Sequence, residues 1–239
     1  MQYDMQKMED GLQILGVHLT EEQLNQFLIF YEKLIEKNKQ VNLTAITEFT
    51  EVVEKHFIDS LSLTKVIDLK KPLKILDLGT GAGFPGIPLK IAFPELEIVL
   101  MDSLNKRVLF LQDIISDLKL QKISALHGRA EEIARKKEYR EQFDICVSRA
   151  VANLSSLSEY CLPFVKQGGR FISYKSGEIE EEALQAKKAV HLLGGKIEEV
   201  EKFQLPGTDI WRSFVCVDKL RKTPRTYPRK AGTPTKDPL

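Results

Sequence analysis

Over residues 1–70 apolar positions recur at helical spacing. Leu24, Phe27, Leu28, Tyr31, Leu34 and Ile35 share one face, and Thr20 with Gln23 has capping-box spacing ahead of them. The pattern stops at Asn38–Thr47 (NKQVNLTAIT), whose Asn and Thr content predicts a loop. A second helix is predicted over about Glu48–Val66, with Val52, Val53, Phe57, Leu61 and Leu63 apolar. From residue 72 the period changes. Short apolar runs at Lys74–Gly79 (KILDLG), Glu97–Asp102 (EIVLMD), Ser124–His127, Phe143–Ser148 (FDICVS) and Arg170–Lys175 (RFISYK) read as strands. Helical patterns separate them: around Ile87–Phe93, from an N-cap at Ser103 to about Leu118, from Ala130, and near Leu154–Val165. Gly168-Gly169 reads as the turn into the fifth strand. A charged helix over about Glu178–Leu193 closes at Gly194-Gly195. Lys196–Leu205 and Arg212–Asp218 are strand-like with no helix between them, so they are expected to form an antiparallel pair.

Strands alternating with helices predict an α/β fold: βαβ units on a parallel sheet with right-handed crossovers, made mixed by the closing pair. Three regions follow. Residues 1–70 form a helical region packed on the main domain, 71–218 the main domain, and 219–239 a Pro-rich tail.

Composition narrows the class. The chain has 239 residues, 43% hydrophobic and 29% charged, as expected of a globular protein rather than a disordered, collagenous or disulfide-stapled one. No apolar run approaches the roughly 20 residues that span a bilayer, and the start does not read as a secretory signal. Cys146, Cys161 and Cys216 lack CxxC spacing and are expected to be reduced, buried thiols of a cytoplasmic protein. The formal charge of +1 argues against a polyanionic partner until it is divided. Residues 219–239 hold seven basic residues against Asp237 alone, which makes the tail +6 and leaves −5 on the rest. That asymmetry points to nucleic acid or another polyanion, with a solvated terminus as the alternative, and Tyr227 within the tail is suited to stacking on a base.

The sharpest chemical signal is LDLGTGAGFPGIPL, residues 76–89. Gly79, Gly81 and Gly83 follow a strand and precede a helix, where the backbone must turn tightly and approach a ligand. The helix N-terminus is expected to seat an anionic group. Asp102 closes the second strand and can accept hydrogen bonds from both hydroxyls of a ribose. Strand, glycine loop, helix, strand and terminal acid in that order predict a pocket for an adenosine-type cofactor at the carboxyl ends of the strands.

The dinucleotide fingerprint is GxGxxG, whereas here Gly83 is followed by Phe84-Pro85-Gly86. With Asp77 two residues before the first glycine, the segment resembles the first motif of class I S-adenosyl-L-methionine-dependent methyltransferases. That resemblance implies a Rossmann-like seven-stranded sheet whose last two strands form an antiparallel hairpin. Further segments narrow it: NLTAI (42–46), HFIDSL (56–61), GRAEE (128–132), SRAVA (148–152) and the tail TPRTYPRKAGTP (223–234). Together they are similar to the RsmG (GidB) family of 16S rRNA (guanine-N7) methyltransferases over nearly the whole chain. The resemblance implies methylation of one guanosine in the decoding-region loop of bacterial 16S rRNA, within the small ribosomal subunit or an assembly intermediate. It assigns Gly79, Gly81 and Phe84 to the methionine end of the cofactor, Asp102 to the ribose and Ala130 and Glu131 to the adenine. Arg149 goes to the mouth between cofactor and base.

Guanine N7 carries a lone pair and no proton, so its methylation needs no general base, and no catalytic residue is assigned. Positioning is expected to do the work, with Arg149, Lys175 and Arg229 as candidate donors to guanine O6. Arg225, Tyr227, Arg229 and Lys230 of the tail are the expected RNA contacts, with Lys106, Arg107 and Arg129 as further phosphate ligands. His18, His56, His127 and His191 show no metal-ligand spacing, and no metal is expected. His56 reads as a packed or capping residue. A monomer without a membrane partner is the default. A non-catalytic ribosome-assembly factor would bind RNA with the pocket ablated, and an NAD-dependent oxidoreductase on a similar sheet would bind NADH instead.

Overall fold

The computed structural model describes residues 3–149 and 152–239. The first two residues of the N-terminal region, and Ala150 and Val151 of the SRAVA segment, lie outside the described residues.

Helix α1 (Gln6–Leu15) leads to α2 (Glu21–Val41), which starts at the predicted capping box. Thr20 Oγ1 accepts from the Gln23 backbone N–H at 3.2 Å, and Gln23 Oε1 accepts from the Thr20 N–H at 2.8 Å. The predicted helix over 48–66 is not a single α-helix. It is built of α3 (Phe49–Val52), a π-helical segment (Val53–Ile58), α4 (Asp59–Leu61) and a 3₁₀ turn (Ser62–Lys65). The wider π turn carries His56 and leads into Asp59, and both side chains meet an arginine of the sheet.

The sheet holds β1 (Lys74–Leu78), β2 (Glu97–Asp102), β3 (Ile123–His127), β4 (Phe143–Arg149), β5 (Val165–Ser176), β6 (Gly195–Gln204) and β7 (Trp211–Lys219). Their order is β3-β2-β1-β4-β5-β7-β6. Strands β1 to β5 are parallel, and β7 runs antiparallel to both β5 and β6. This is the expected mixed, seven-stranded α/β sheet. Helices α5 (Gly86–Ala92), α6 (Asn105–Asp117), α7 (Ala130–Ile133), α8 (Leu154–Cys161) and α9 (Glu180–Leu192) connect the strands, and α10 (Thr233–Lys236) is one turn in the tail.

Two local expectations are corrected. The Gly168-Gly169 pair is not a turn into β5, because the strand already begins at Val165. The pair instead forms a bulge, across which the partners shift from Phe143↔Val165 to Ile145↔Arg170. Gly168 has φ 83, and a Cβ on Gly169 would lie 2.4 Å from the Asp144 carbonyl oxygen. Ser103 does not cap α6. The Asp102 carboxylate accepts from the Leu104 N–H at 2.9 Å, so the acid closing β2 also shapes the start of α6.

Alternation along the strands divides the core in two. Ile75, Ile98, Leu100, Ile145, Val147, Ile172 and Phe214 join Phe27, Phe30 and Phe57 of the N-terminal helices on one face. Leu76, Val99, Met101, Cys146, Phe171, Val215 and Val217 pack on the other face with Leu154, Leu157, Ala186 and Val190 of α8 and α9. The N-terminal helices thus cover one face of the sheet beside α5 and α6. All three cysteines are buried, free thiols.

Gly169→Ala is expected to destabilise the protein by about 2–3 kcal/mol, because a Cβ there meets backbone that cannot give way. Urea unfolding of the variant beside the wild type measures it.

Candidate cofactor and substrate site

The loop after β1 is held from below by two carboxylates. Asp77 is fully buried, and its Oδ2 accepts from the Thr80 hydroxyl at 2.6 Å and the Gly86 N–H at 2.8 Å. Asp102 Oδ2 accepts from the Gly81 N–H at 3.0 Å, and the Met101 carbonyl takes the Gly79 and Thr80 N–H groups. Gly79, Gly81 and Gly83 have φ of 71, 61 and 98, which is why the loop needs glycine there. At Gly86 the reason is space instead, since a Cβ would lie 2.2 Å from Leu100.

The anion seat expected at the start of α5 is already in use. Gly86 N–H goes to Asp77 and Ile87 N–H to the Gly83 carbonyl. Burial raises the Asp77 carboxyl to about 6, against the lowering effect of its bonds from Thr80 and Gly86. Its Oδ1 is buried without a hydrogen-bond partner among the described residues, an unfilled acceptor beneath the glycine loop.

A cavity of about 390 Å³ opens over the carboxyl ends of β1, β2 and β3. Gly79, Asp102, Ala130 and Glu131 line it, as expected, and so does the exposed Arg129. Asp102 is nearly buried; its Oδ2 accepts from Gly81 and at 3.4 Å from Arg107 Nη1, while its Oδ1 accepts from Leu104 alone and can accept once more. Arg107 stands 3.4 Å from it, while Lys106 is exposed. Gly81 and Phe84 are not among the lining residues. The Phe84 ring is buried between Phe30 and Phe57, stacks on His56 with centroids 4.4 Å apart, and lies under the Arg149 guanidinium at 5.1 Å. Within the protein the ring supports Arg149 and His56.

The tail supplies part of the same cavity wall, through Gly232 and Thr235, which sequence reasoning missed. Arg229, expected to contact RNA, is bound within the protein. It donates from Nε and Nη2 to the fully buried Glu159 carboxylate at 2.7 to 3.1 Å, and from Nη2 to the Asp237 carbonyl. Glu131 Oε1 accepts from the Gly232 N–H at 2.9 Å, Ser156 Oγ donates to the Pro234 carbonyl, and Tyr160 pairs with the Thr235 hydroxyl. Upstream, Arg140 donates to the carbonyls of Thr223, Pro224 and Tyr227, and Arg135 to that of Pro228. Lys219 is buried against the Leu162 carbonyl and the Thr223 hydroxyl, and burial lowers its ammonium to about 8. Tyr227 is half-buried against the apolar layer that includes α8 and α9. Arg225 and Lys230 stay exposed, with Arg221, Lys222 and Lys236. The basic tail is thus a strap whose outer cations face solvent and whose inner ones fasten it.

A second cavity of about 510 Å³ lies over the ends of β4 and β5, lined among others by His56, Asp59, Arg149, Lys175, Glu182 and Arg212. Asp59 is buried and joins two strands to the N-terminal rod: Arg149 Nη1 reaches its Oδ2 at 2.8 Å and Arg212 Nε its Oδ1 at 2.9 Å. Arg149 belongs to this cavity rather than the first. Burial, with Arg149 beside it, lowers the His56 imidazole to about 3, so the ring is neutral at neutral pH. Its Nε2 is 2.9 Å from the Thr44 hydroxyl, which explains the pairing of the NLTAI and HFIDSL segments. Lys175 Nζ donates to Glu182 Oε1 at 2.7 Å and to the Ala152 carbonyl at 2.8 Å. Asp59, Arg212 and Glu182 carried no periodic or spacing signal of their own.

A family model described as rRNA small subunit methyltransferase G matches residues 23–210. The ribosomal RNA small subunit methyltransferase G of Lachnoclostridium phytofermentans is 58% identical over 229 residues, covering 96% of this chain and 95% of that protein. The protein of the same name from Alkaliphilus metalliredigens is 49% identical over 232 residues, 97% of each chain. Among solved structures, M. jannaschii TYW2 in complex with AdoMet shares the fold, with a TM-score of 0.50 at 14% identity over 63% of this chain and 71% of that one.

Two outcomes are expected. Arg229→Ala leaves the Glu159 carboxylate buried and unpaired, costing about 3–5 kcal/mol and freeing the strap, read by urea unfolding and by amide exchange in residues 223–239. The second concerns pH. Below 6.5 the unfolded chain takes up a proton at His56 that the folded protein refuses until about 3, so stability falls as pH drops through that window. Asp77 acts with the opposite sign, because its folded carboxyl takes a proton from about 6 downward and its unfolded one only near 3.8. His56→Gln removes the first contribution alone. Relative to wild type, the variant should gain about 2 kcal/mol between about pH 7.5 and about pH 5, measured by urea unfolding at both.

Proposed function

The chain belongs to the rRNA small subunit methyltransferase G family, and from that premise we propose that it transfers the methyl group of S-adenosyl-L-methionine to N7 of one guanosine in small-subunit rRNA. The observation that carries the reading is the cavity bounded by Gly79, Asp102, Ala130 and Glu131 at the carboxyl ends of β1 to β3. In open α/β sheets, ligands bind at the carboxyl ends where the strand order reverses, here between β1 and β4.

The donor set fits the cofactor. Asp102 accepts from a ribose hydroxyl with the lone pair that Leu104 leaves on Oδ1, and from the other where the long 3.4 Å bond from Arg107 to Oδ2 gives way. Ala130 and Glu131 flank the adenine. Gly79 and Gly81 let the backbone come close to the methionine portion, and Asp77 Oδ1 offers an acceptor for an ammonium group. The bound cofactor supplies a sulfonium methyl. Since N7 presents a lone pair, this chain's residues have only to hold the base and exclude water, and no side chain has to remove a proton. His56 suits that division, being neutral and committed to Thr44 and Lys55 rather than poised as a base.

The substrate is 16S rRNA, as the small subunit or an assembly intermediate, and we take the acting form to be a cytoplasmic monomer without a metal. The target loop is the decoding region. Exposed Arg225 and Lys230 of the strap, with Arg129 at the rim of the first cavity, suit phosphate contacts.

Small subunits lacking the mark should accept labelled methyl groups at guanine N7 from the wild-type protein. Asp102→Ala should weaken cofactor binding about 10- to 100-fold by calorimetry, the worth of one or two hydrogen bonds to a charged group. Label appearing elsewhere than N7, or none at all with the wild type, overturns the reading.

A further inference from the structure

The second cavity contains a donor and an acceptor held side by side, and their order has chemical meaning. Lys175 Nζ stands 2.7 Å from Glu182 Oε1, and on its other side donates to the Ala152 carbonyl. Ala152 in turn lines the first cavity. Lys175 Nζ thus stands between the Glu182 carboxylate and the Ala152 carbonyl at the wall of the first cavity.

Guanine presents a matching row. Its N2 amino group and N1–H are donors, the adjacent O6 is an acceptor, and N7 follows O6 around the ring. Adenine presents an acceptor at N1 and a donor at N6, the reverse order. We infer that the second cavity is the seat of the target guanine, with Glu182 reading N1–H and the N2 amino group and Lys175 reading O6. The inference rests on the methyltransferase reading above and names the base-selecting residues of that site.

The carboxylate has room for this task. Its Oε1 is held by Lys175 and by the Leu154 N–H, which fixes the side chain. Its Oε2 accepts no hydrogen bond among the described residues, and the side chain is 32% exposed. Glu182 stands in the first turn of α9, where the helix dipole favours a carboxylate over a carboxylic acid. A base seated against this pair has O6 at Lys175 and N7 on the side facing Ala152, toward the first cavity. Arg149 and Arg212 share Asp59 between them, so with Lys55 they leave the same walls net positive, which suits the phosphates of a flipped nucleotide.

The test uses small subunits whose 16S rRNA carries guanosine or inosine at the position the wild type methylates. Inosine keeps N1–H, O6 and N7 and lacks only the N2 amino group. Wild type should prefer guanosine by about tenfold or more in kcat/KM, since with inosine the Glu182 carboxylate loses one of its two donors from the base. Glu182→Gln, which keeps an acceptor for Lys175 and Leu154, should lower transfer to guanosine and bring the two substrates within about threefold of each other. Lys175→Met should slow both substrates alike and keep the wild-type preference. A wild type that methylates inosine as well as guanosine overturns the inference whatever the variants do, and so does Glu182→Gln with the wild-type preference intact. Transfer to N7 of neither substrate by the wild type overturns the underlying methyltransferase reading instead.

Discussion

The pairing of β1 with β4 is the constraint on which both cavities depend. Leu76 and Cys146 sit side by side in the middle of the sheet, yet the chain leaves β1 toward β2 and leaves β4 toward β5. Two connections that part in opposite directions cannot cover the crevice between their starts. The glycine loop therefore borders one hollow, and Arg149 at the end of β4 the other. Placing the target base and the cofactor on either side of this parting brings N7 and the methyl donor together without a further moving part.

Buried acids then fasten the pieces around the crevice. Asp59 ties the N-terminal rod to β4 and β7, Glu159 ties the strap to α8, and Glu131 ties the strap to the wall of the first cavity. In each case the anion accepts from arginine or from backbone N–H groups, so its loss of water is offset by short, directed bonds. The segments joined in this way contribute to a binding surface, and unpaired carboxylates in these places would drive them apart. Asp77 is the partial exception. With one oxygen bonded and the other unpartnered, its carboxyl rises to about 6, a position suited to a site that a bound group completes.

The glycine loop shows how much was legible beforehand. Its spacing announced a tight turn, a close approach and a ligand, and each glycine has a positive φ or a contact that leaves no room for Cβ. That the start of α5 has no N–H free for an anion was not legible, because the Gly86 N–H is taken by Asp77, nine positions back and brought there by the turn itself, and the Ile87 N–H by the Gly83 carbonyl. The partners of Phe84 and Arg229 within the protein were hidden for a similar reason. An aromatic in a ligand loop and an arginine in a basic tail have obvious solvent-side roles, whereas their actual partners, His56 and Glu159, lie far away along the chain.

The sequence by itself determined the elements, their order, the mixed sheet and the glycine-to-acid unit, because period-2 and period-3.6 patterns, glycine backbone freedom and capping are local in the chain. Only the tertiary structure decided which charges remain free. Whether Arg149, Lys175 or Arg229 meets a carboxylate or solvent is set by residues 90, 7 and 70 positions away. Ion pairs carry no periodicity, and a charge becomes a fastening or a binding group only when folding has chosen its neighbours and removed its water.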